Sequence, residues 1–483
     1  MQMLTARRRV PLLDYFGVPY EVDEAIEARS QDGSLCEVVL LQNGAAARKM
    51  VWPAATRRKL PAPSRIGSST LFAAIAPEDA CAAWLNRIGS NWEVLIDIYG
   101  PDGARSAAIW RDERGNVFLP FDPNQAIAAV LSEQYRRAGR SSPAAVARAS
   151  AAGAYYRVRP VVPRKLQIAA RRIFVRAQAR AVFPAWPIEP SLHDLYDILL
   201  RLFTGFVQRP LPYLAPWPAP YKWALVLTHD VETYEGYLEL DRLRRIEVEL
   251  GFRSAWNFVP RRYEVDDRVV RELNAEGHEV GVHGLYHDGR DLASQKLLET
   301  RLPEMHAFAQ RWNAVGFRSP ALRRSAELMP LLGFEYDSSY PDTDPHGPDG
   351  GGCCSWLPFM IEDLVELPVT LPQDHTIFEI LRIDSSAWHE KTRYLRDRGG
   401  MALLLTHPDY MLDTERLRAY DEFLRTFATD GTVWKALPRE VSAWWRRRSA
   451  SRLVLDHGRW TVEGEAAGEA AVAFCEPGAA LPS

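Results

Sequence analysis

Apolar and polar positions follow two regimes along the chain. From about residue 217 the pattern is regular. Short, nearly continuous apolar runs occur at 223–228 (WALVLT), 253–259 (RSAWNFV), 279–284 (EVGVHG), 314–319 (AVGFRS), 335–339 (EYDSS), 365–370 (VELPVT) and 401–407 (MALLLTH). Helical patterns lie between them, as at 266–277 and 290–312. Such alternation predicts an α/β unit with a parallel sheet, open or closed into a barrel. The first 130 or so residues mix strand-like runs (36–42, 92–100, 115–121) with helical stretches (77–88, 123–139), which predicts a smaller α/β domain.

Between these regimes the composition changes. Residues 134–188 hold twelve basic and no acidic side chains. Within them 164–183 has a helical pattern, with Leu166, Ala169, Ala170, Ile173 and Ala177 along one face. A basic amphipathic helix can make peripheral contact with an anionic membrane. The plainer expectation is a linker helix packed between neighbouring domains with its arginines outward. A second amphipathic helix ends near 203, and 210–221 carries five prolines, a natural boundary. The tail after Arg448 reads as β-rich. The expected layout is an α/β domain (1–140), a basic helical linker (141–216), the alternating unit (217–447) and a short β-rich tail (448–483).

The 483 residues are 47% hydrophobic and 25% charged, with a net charge of −3. That excludes a mostly disordered chain and a collagen. It also argues against a protein dedicated to nucleic acid. No run of about 18 apolar residues exists to span a membrane. The basic N-terminus is interrupted by Asp14, Pro19 and Glu21, unlike a secretory signal. Cys36, Cys81, Cys353, Cys354 and Cys475 are scattered, with no CxxC. This points to a reducing, cytoplasmic setting and places any metal on histidine and carboxylate. The sequence carries no signature of oligomeric state.

Nine of the eleven histidines fall between His229 and His407. The important ones follow strand-like runs, at the edge where parallel folds build active sites. Thr228-His229-Asp230-Val231-Glu232 places two acids at a strand end, where one can bind a metal and the other act as a base. Alone, that spacing is more often a cap for the next helix. His283 and His287, four apart, can converge on one ion, and two histidines with one carboxylate form a catalytic zinc set with an open position. Arg318 in Gly316-Phe317-Arg318-Ser319-Pro320 needs a carboxylate partner if buried, and Asp230 is the candidate. His407, at the end of LLLTH, is placed to act as a general acid. The glycine-rich stretch 341–356 suggests either a lid over the pocket or a disordered surface loop. Trp256, Trp356 and Trp388 could serve as sugar platforms, although core aromatics are commoner.

These four motifs, in this order, resemble the polysaccharide deacetylases with NodB homology, carbohydrate esterase family 4. The resemblance covers about 217–440. It implies a distorted (β/α)7 barrel and a deacetylase acting on an N-acetylated carbohydrate around one divalent metal, usually zinc. It implies Asp230 as catalytic base, Glu232, His283 and His287 as metal ligands, Arg318 as the holder of Asp230, and His407 as catalytic acid. A backbone N–H near Tyr340 would help hold the oxyanion, and Asp337 and Asp374 would line the pocket. The chain departs from the family at His229, Glu232 and Gly284, where Phe, Asp and Ser or Thr are usual. Two other readings are a metal-dependent C–N hydrolase acting on a small amide or imide, and a catalytically impaired homologue that binds glycan.

Overall fold

The computed structural model describes residues 3–6, 8–23, 34–42, 45–54, 63–136, 183–347 and 349–477. The basic stretch 164–182, with its expected packing and membrane contact, lies outside them. The chain divides into two compact units. One contains Met1–Ala149, Pro190–Ala215 and Arg447–Ser483, so the β-rich tail groups with the N-terminal region. The other contains Ser150–Glu189 and Pro216–Arg446.

The second unit carries the strand–helix alternation. Its parallel strands are β1 (Trp223–Val231), β2 (Ser254–Phe258), β3 (Glu279–Val282), β4 (Gly316–Phe317), β5 (Tyr336–Asp337), β6 (Leu364–Glu366) and β7 (Met401–Thr406). The order across the sheet is β6-β5-β4-β3-β2-β1-β7, with Phe359–Ile361 antiparallel on β6 and Val433–Lys435 beside the start of β1. Every residue of β1, β2, β3 and β7 is buried. That is why they read as continuous apolar runs rather than as alternation. Beyond β6 the chain comes alongside β7. Leu371 N–H donates to the Leu403 carbonyl at 3.0 Å, and the Thr370 hydroxyl donates to the Met401 carbonyl at 2.7 Å. The sheet therefore curls back toward its other edge.

Helices α1 (Leu240–Glu249), α2 (Asp267–Ala275), α3 (Gln295–Trp312), α4 (Ser386–Asp397) and α5 (Thr414–Ala428) fill the connections. Side-chain caps set several starts. Asp266 accepts from Arg268 N–H, Ser294 from Leu297 N–H and Asp413 from Glu415 N–H. The cap at Ser294 explains why α3 begins later than the helical pattern from 290 suggests. β4 and β5 are shorter than expected for local reasons. Pro320 has no N–H for a ladder, and the Asp337 carboxylate captures the N–H and hydroxyl of Ser339.

The first unit is built on a mixed sheet of nine strands among the described residues. The amphipathic helix expected before 203 is Ser191–Val207, fixed to the strand Ser69–Leu71 by the Ser69 hydroxyl on Asp194 (2.5 Å) and Thr70 N–H on Ser191 (2.9 Å). The helix expected at 123–139 is Pro123–Leu131, capped by Asp122. The proline-rich segment expected as a boundary forms the strand Leu211–Pro218, and the division between units falls inside it. The tail forms a hairpin, Arg452–Asp456 with Arg459–Glu463, and the strand Ala470–Cys475. None of the five cysteines is joined in a disulfide. Among the described residues no helix is long and apolar enough to cross a membrane.

Candidate active site and metal centre

The site is assembled at the C-terminal ends of β1, β3, β4 and β7. Strand alternation sends Thr228 and Asp230 to one face of β1 and His229 to the other. Asp230 is fully enclosed. Its Oδ1 accepts from Asn257 Nδ2 at 2.9 Å and from Arg318 Nη1 at 3.1 Å. Arg318 is itself fixed, with Nη1 on the Thr228 hydroxyl and Nε and Nη2 on the Ser338 carbonyl and hydroxyl, each at 2.8 Å. Burial pushes the Asp230 carboxyl up, but the charges of His283, Arg318 and His407 outweigh it and hold it below its ordinary value. Its Oδ2 lies 3.6 Å from His283 Nε2.

His283 and His287 sit on the turn that follows β3. His283 is placed by its N–H on the Phe258 carbonyl (2.8 Å), and its Nδ1 donates to the Arg318 carbonyl (3.0 Å). That hydrogen bond puts a proton on Nδ1, so in the neutral ring the lone pair belongs to Nε2, which faces the pocket. Nε2 is buried without a hydrogen-bond partner, 3.9 Å from Glu232 Oε1. His287 Nε2 lies 2.8 Å from the same oxygen. The turn needs glycine at 284. Its φ is +61°, and a Cβ there would stand 2.5 Å from Asp291 Oδ2 and 2.6 Å from Pro320. The family's Ser or Thr is excluded by this packing.

Donor atoms of Glu232, His283 and His287 all lie within 4.8 Å of one another. One carboxylate and two imidazoles, each with an Nε2 buried without a hydrogen-bond partner, fit a divalent ion with a position left open. Burial raises the Glu232 carboxyl, yet the neighbouring histidines hold it well below its usual range.

His407 follows β7. Asp374 grips it twice at 2.7 Å, through the His407 backbone N–H and through Nδ1. Nε2 then points at the cluster, 3.7 Å from Glu232 Oε1. Burial pushes the imidazole down, but the charges of Asp374, Glu232 and Asp230 raise it to about 10.

The structure thus brings together Asp230, Glu232, His283, His287, Arg318 and His407. It adds Asn257, which sequence reasoning missed. The signal was an amide in a fully buried strand, with Gly281 opposite leaving room for it, since a Cβ at 281 would sit 2.1 Å from Asn257 Oδ1. Other expectations are corrected. Tyr340 N–H is spent on Glu366 Oε1 at 2.9 Å, so it is no oxyanion donor. Asp337 turns to Ser339 rather than to the pocket. Trp256, Trp356 and Trp388 take the commoner of their two expected roles and are core residues. Trp256 stacks on His229 at 4.1 Å, and Trp388 donates to the Pro372 carbonyl. The stretch 341–356 is not an open lid. Most of it is buried, with Lys391 on Asp342 (2.7 Å) and the Thr343 hydroxyl on the Ala185 carbonyl (2.7 Å).

No family model and no curated protein matches the chain. Solved structures do. A protein from Mycobacterium smegmatis assigned as a polysaccharide deacetylase is 21% identical, with a TM-score of 0.40, over 50% of this chain and 96% of that one. Another, from Pseudomonas aeruginosa PAO1, is 16% identical, with a TM-score of 0.40, over 52% and 96%. The Puue allantoinase is 16% identical, with a TM-score of 0.38, over 48% and 93%. Two of these three bear the name of the family that the four motifs resemble.

Proposed function

We propose that this protein is a metal-dependent deacetylase that hydrolyses an N-acetyl group on a sugar or polysaccharide precursor, within a distorted (β/α)7 barrel. The observation that carries the reading is the convergence of Glu232, His283 and His287 between a buried carboxylate, Asp230, and a buried imidazole, His407. Nitrogen and carboxylate donors favour zinc over harder cations. When bound, such an ion polarises an acyl carbonyl and acidifies water toward a pKa of about 7.

The rest follows from the chain's own groups. Asp230 receives the proton of the attacking water at Oδ2, because Oδ1 is occupied by Asn257 and Arg318. Those two donors keep the carboxylate ionised and fix its direction. His407 gives its Nε2 proton to the departing nitrogen, which must be protonated to leave. Asp374 holds the ring in the orientation that presents Nε2. The convergence of Asp230, His407 and Arg318 on Glu232, His283 and His287 supports an active enzyme over an impaired glycan-binding homologue.

The test is metal analysis of the purified protein, then acetate release from N-acetylglucosamine oligomers, beside ring opening of small cyclic amides. Acetate release that disappears with chelator and returns with zinc supports the proposal. Turnover of the cyclic amides alone would transfer the site to small-molecule C–N hydrolysis.

A further inference from the structure

His283 and His287 use their outer ring nitrogens differently. His283 Nδ1 faces the Arg318 carbonyl, an acceptor, which suits a ring that ligates through Nε2. His287 Nδ1 faces Arg262 Nη1 at 2.5 Å. A guanidinium has no acceptor, so this contact requires a lone pair on Nδ1 and the proton on Nε2, next to Glu232. Ligation through Nε2 requires the reverse tautomer. Nδ1–H and Arg262 would then face each other as two donors.

Arg262 therefore has no acceptor on His287 once the ligand set is engaged. Among the described residues it has no carboxylate partner, whereas its neighbour Arg261 is committed to Glu304. Arg262 is exposed and follows β2 at the rim of the cluster, its N–H reaching back to the Val259 carbonyl at 3.4 Å. The nearby acids are already engaged, Glu232 with the histidines and Asp230 with Arg318 and Asn257. What remains at the rim is a cationic fork without an anion, whose geometry matches carboxylate or phosphate oxygens.

Building on the deacetylase reading, we propose that Arg262 recognises an anionic group, a carboxylate or a phosphate, carried by the N-acylated sugar. Arg262 is then a specificity-determining residue, and the substrate class narrows to acidic amino sugars.

The experiment uses the full-length, zinc-loaded protein and Arg262→Gln. The probes are N-acetylmuramic acid, N-acetylglucosamine 1-phosphate and N-acetylglucosamine. Binding is measured by calorimetry and turnover by acetate release. The wild type should bind at least one charged sugar about 10-fold more tightly than the neutral one, and Arg262→Gln should abolish that preference while leaving the neutral sugar within about threefold. Which charged probe gains identifies the oxygen acid. Equal binding of all three by the wild type, or an equal loss on all three in the variant, overturns the proposal. If calorimetry shows the preference but no probe releases acetate, the deacetylase reading fails and the anion site stands. Zinc affinity, measured by chelator competition, should not fall in Arg262→Gln. A fall would mean that Arg262 supports His287 as a ligand, and would also overturn the proposal.

Discussion

Two buried imidazole–carboxylate pairs lie on the adjacent strands β1 and β7, and they are built for opposite ends. His407 is held by Asp374 through Nδ1 at 2.7 Å, and its Nε2 is left toward the metal cluster. His229 is held by Glu247 through Nε2 at 2.7 Å, and its Nδ1 is closed by the Thr406 hydroxyl at 2.8 Å. Glu247 also accepts from the hydroxyls of Ser254 (2.5 Å) and Tyr420 (2.6 Å). Both pairs are hidden from solvent and both join strand ends. The first keeps one nitrogen uncommitted, and the second spends every polar atom on the fold. A buried histidine beside an acid is therefore poor evidence of catalysis, and the uncommitted nitrogen is the informative feature.

The largest expected effect lies on the pocket side. Asp230→Asn should lower kcat/KM by about 1000-fold or more, because an amide keeps the shape but cannot take a proton. Zinc content should be unchanged, since Asp230 is not among the three converging donors. Loss of zinc together with activity would make Asp230 a ligand and redraw the cluster.

The next effect separates the two pairs by pH. His407 is raised to about 10, chiefly by Asp374 acting against burial, so its proton is held well above the ordinary imidazole range. Activity that needs protonated His407 should fall as pH rises through that raised value. A cation beside Glu232 moves this limb down. Asp374→Asn should move it further down, by about one unit or more, because the charge that favoured the proton is gone. Glu247→Gln should leave the limb where it is. A matching shift in both variants would break the distinction between the pairs.

On the back side the expected loss is stability. Glu247→Ala removes the acceptor for His229, Ser254 and Tyr420 together, and should cost about 3–5 kcal/mol in denaturant unfolding. Burial raises the Glu247 carboxyl, but the neighbouring His229 charge and hydrogen bonds outweigh it and leave it lowered. Its contribution is therefore present above the unfolded carboxyl value and lost as pH falls through the folded one. Turnover per folded molecule should change little. A large fall in kcat at unchanged folded fraction would show that this network steers Asp230.

Much of this was legible in the sequence because parallel strands buried on both faces declare themselves as apolar runs, and their ends carry the chemistry. WALVLT followed by His229-Asp230-Val231-Glu232, and LLLTH ending in His407, gave strand, direction and candidate site residues together. What stayed hidden depended on partners far apart in the chain. Nothing near Asn257 marks it as a donor to Asp230, and nothing near Glu247 marks it as the partner of His229, because each pairing is made by strand register and helix docking. For the tryptophans the commoner role held. Trp256, Trp356 and Trp388 fill the core rather than offering a sugar surface. The proline run 210–221 marked a boundary without revealing a strand, because proline's fixed φ also suits the strand Leu211–Pro218.

The smallest effect tests the comparison at its narrowest point, between two consecutive residues. Thr406 and His407 leave β7 in opposite directions, Thr406 toward His229 and His407 toward the cluster. Thr406→Val keeps the shape of the side chain and deletes only the hydroxyl. His229 Nδ1 then loses its partner in a dry environment, while Nε2 stays on Glu247. A single buried hydrogen bond lost in this way should cost about 1–2 kcal/mol. His407 should not notice, because Asp374 fixes both its backbone N–H and its ring, and neither contact passes through Thr406. Thr406→Val should therefore unfold earlier in denaturant, with kcat/KM and its alkaline limb unchanged. A displaced limb would mean that the two faces of β7 are coupled through the backbone. The closed pair would then be part of the catalytic apparatus rather than of the scaffold alone.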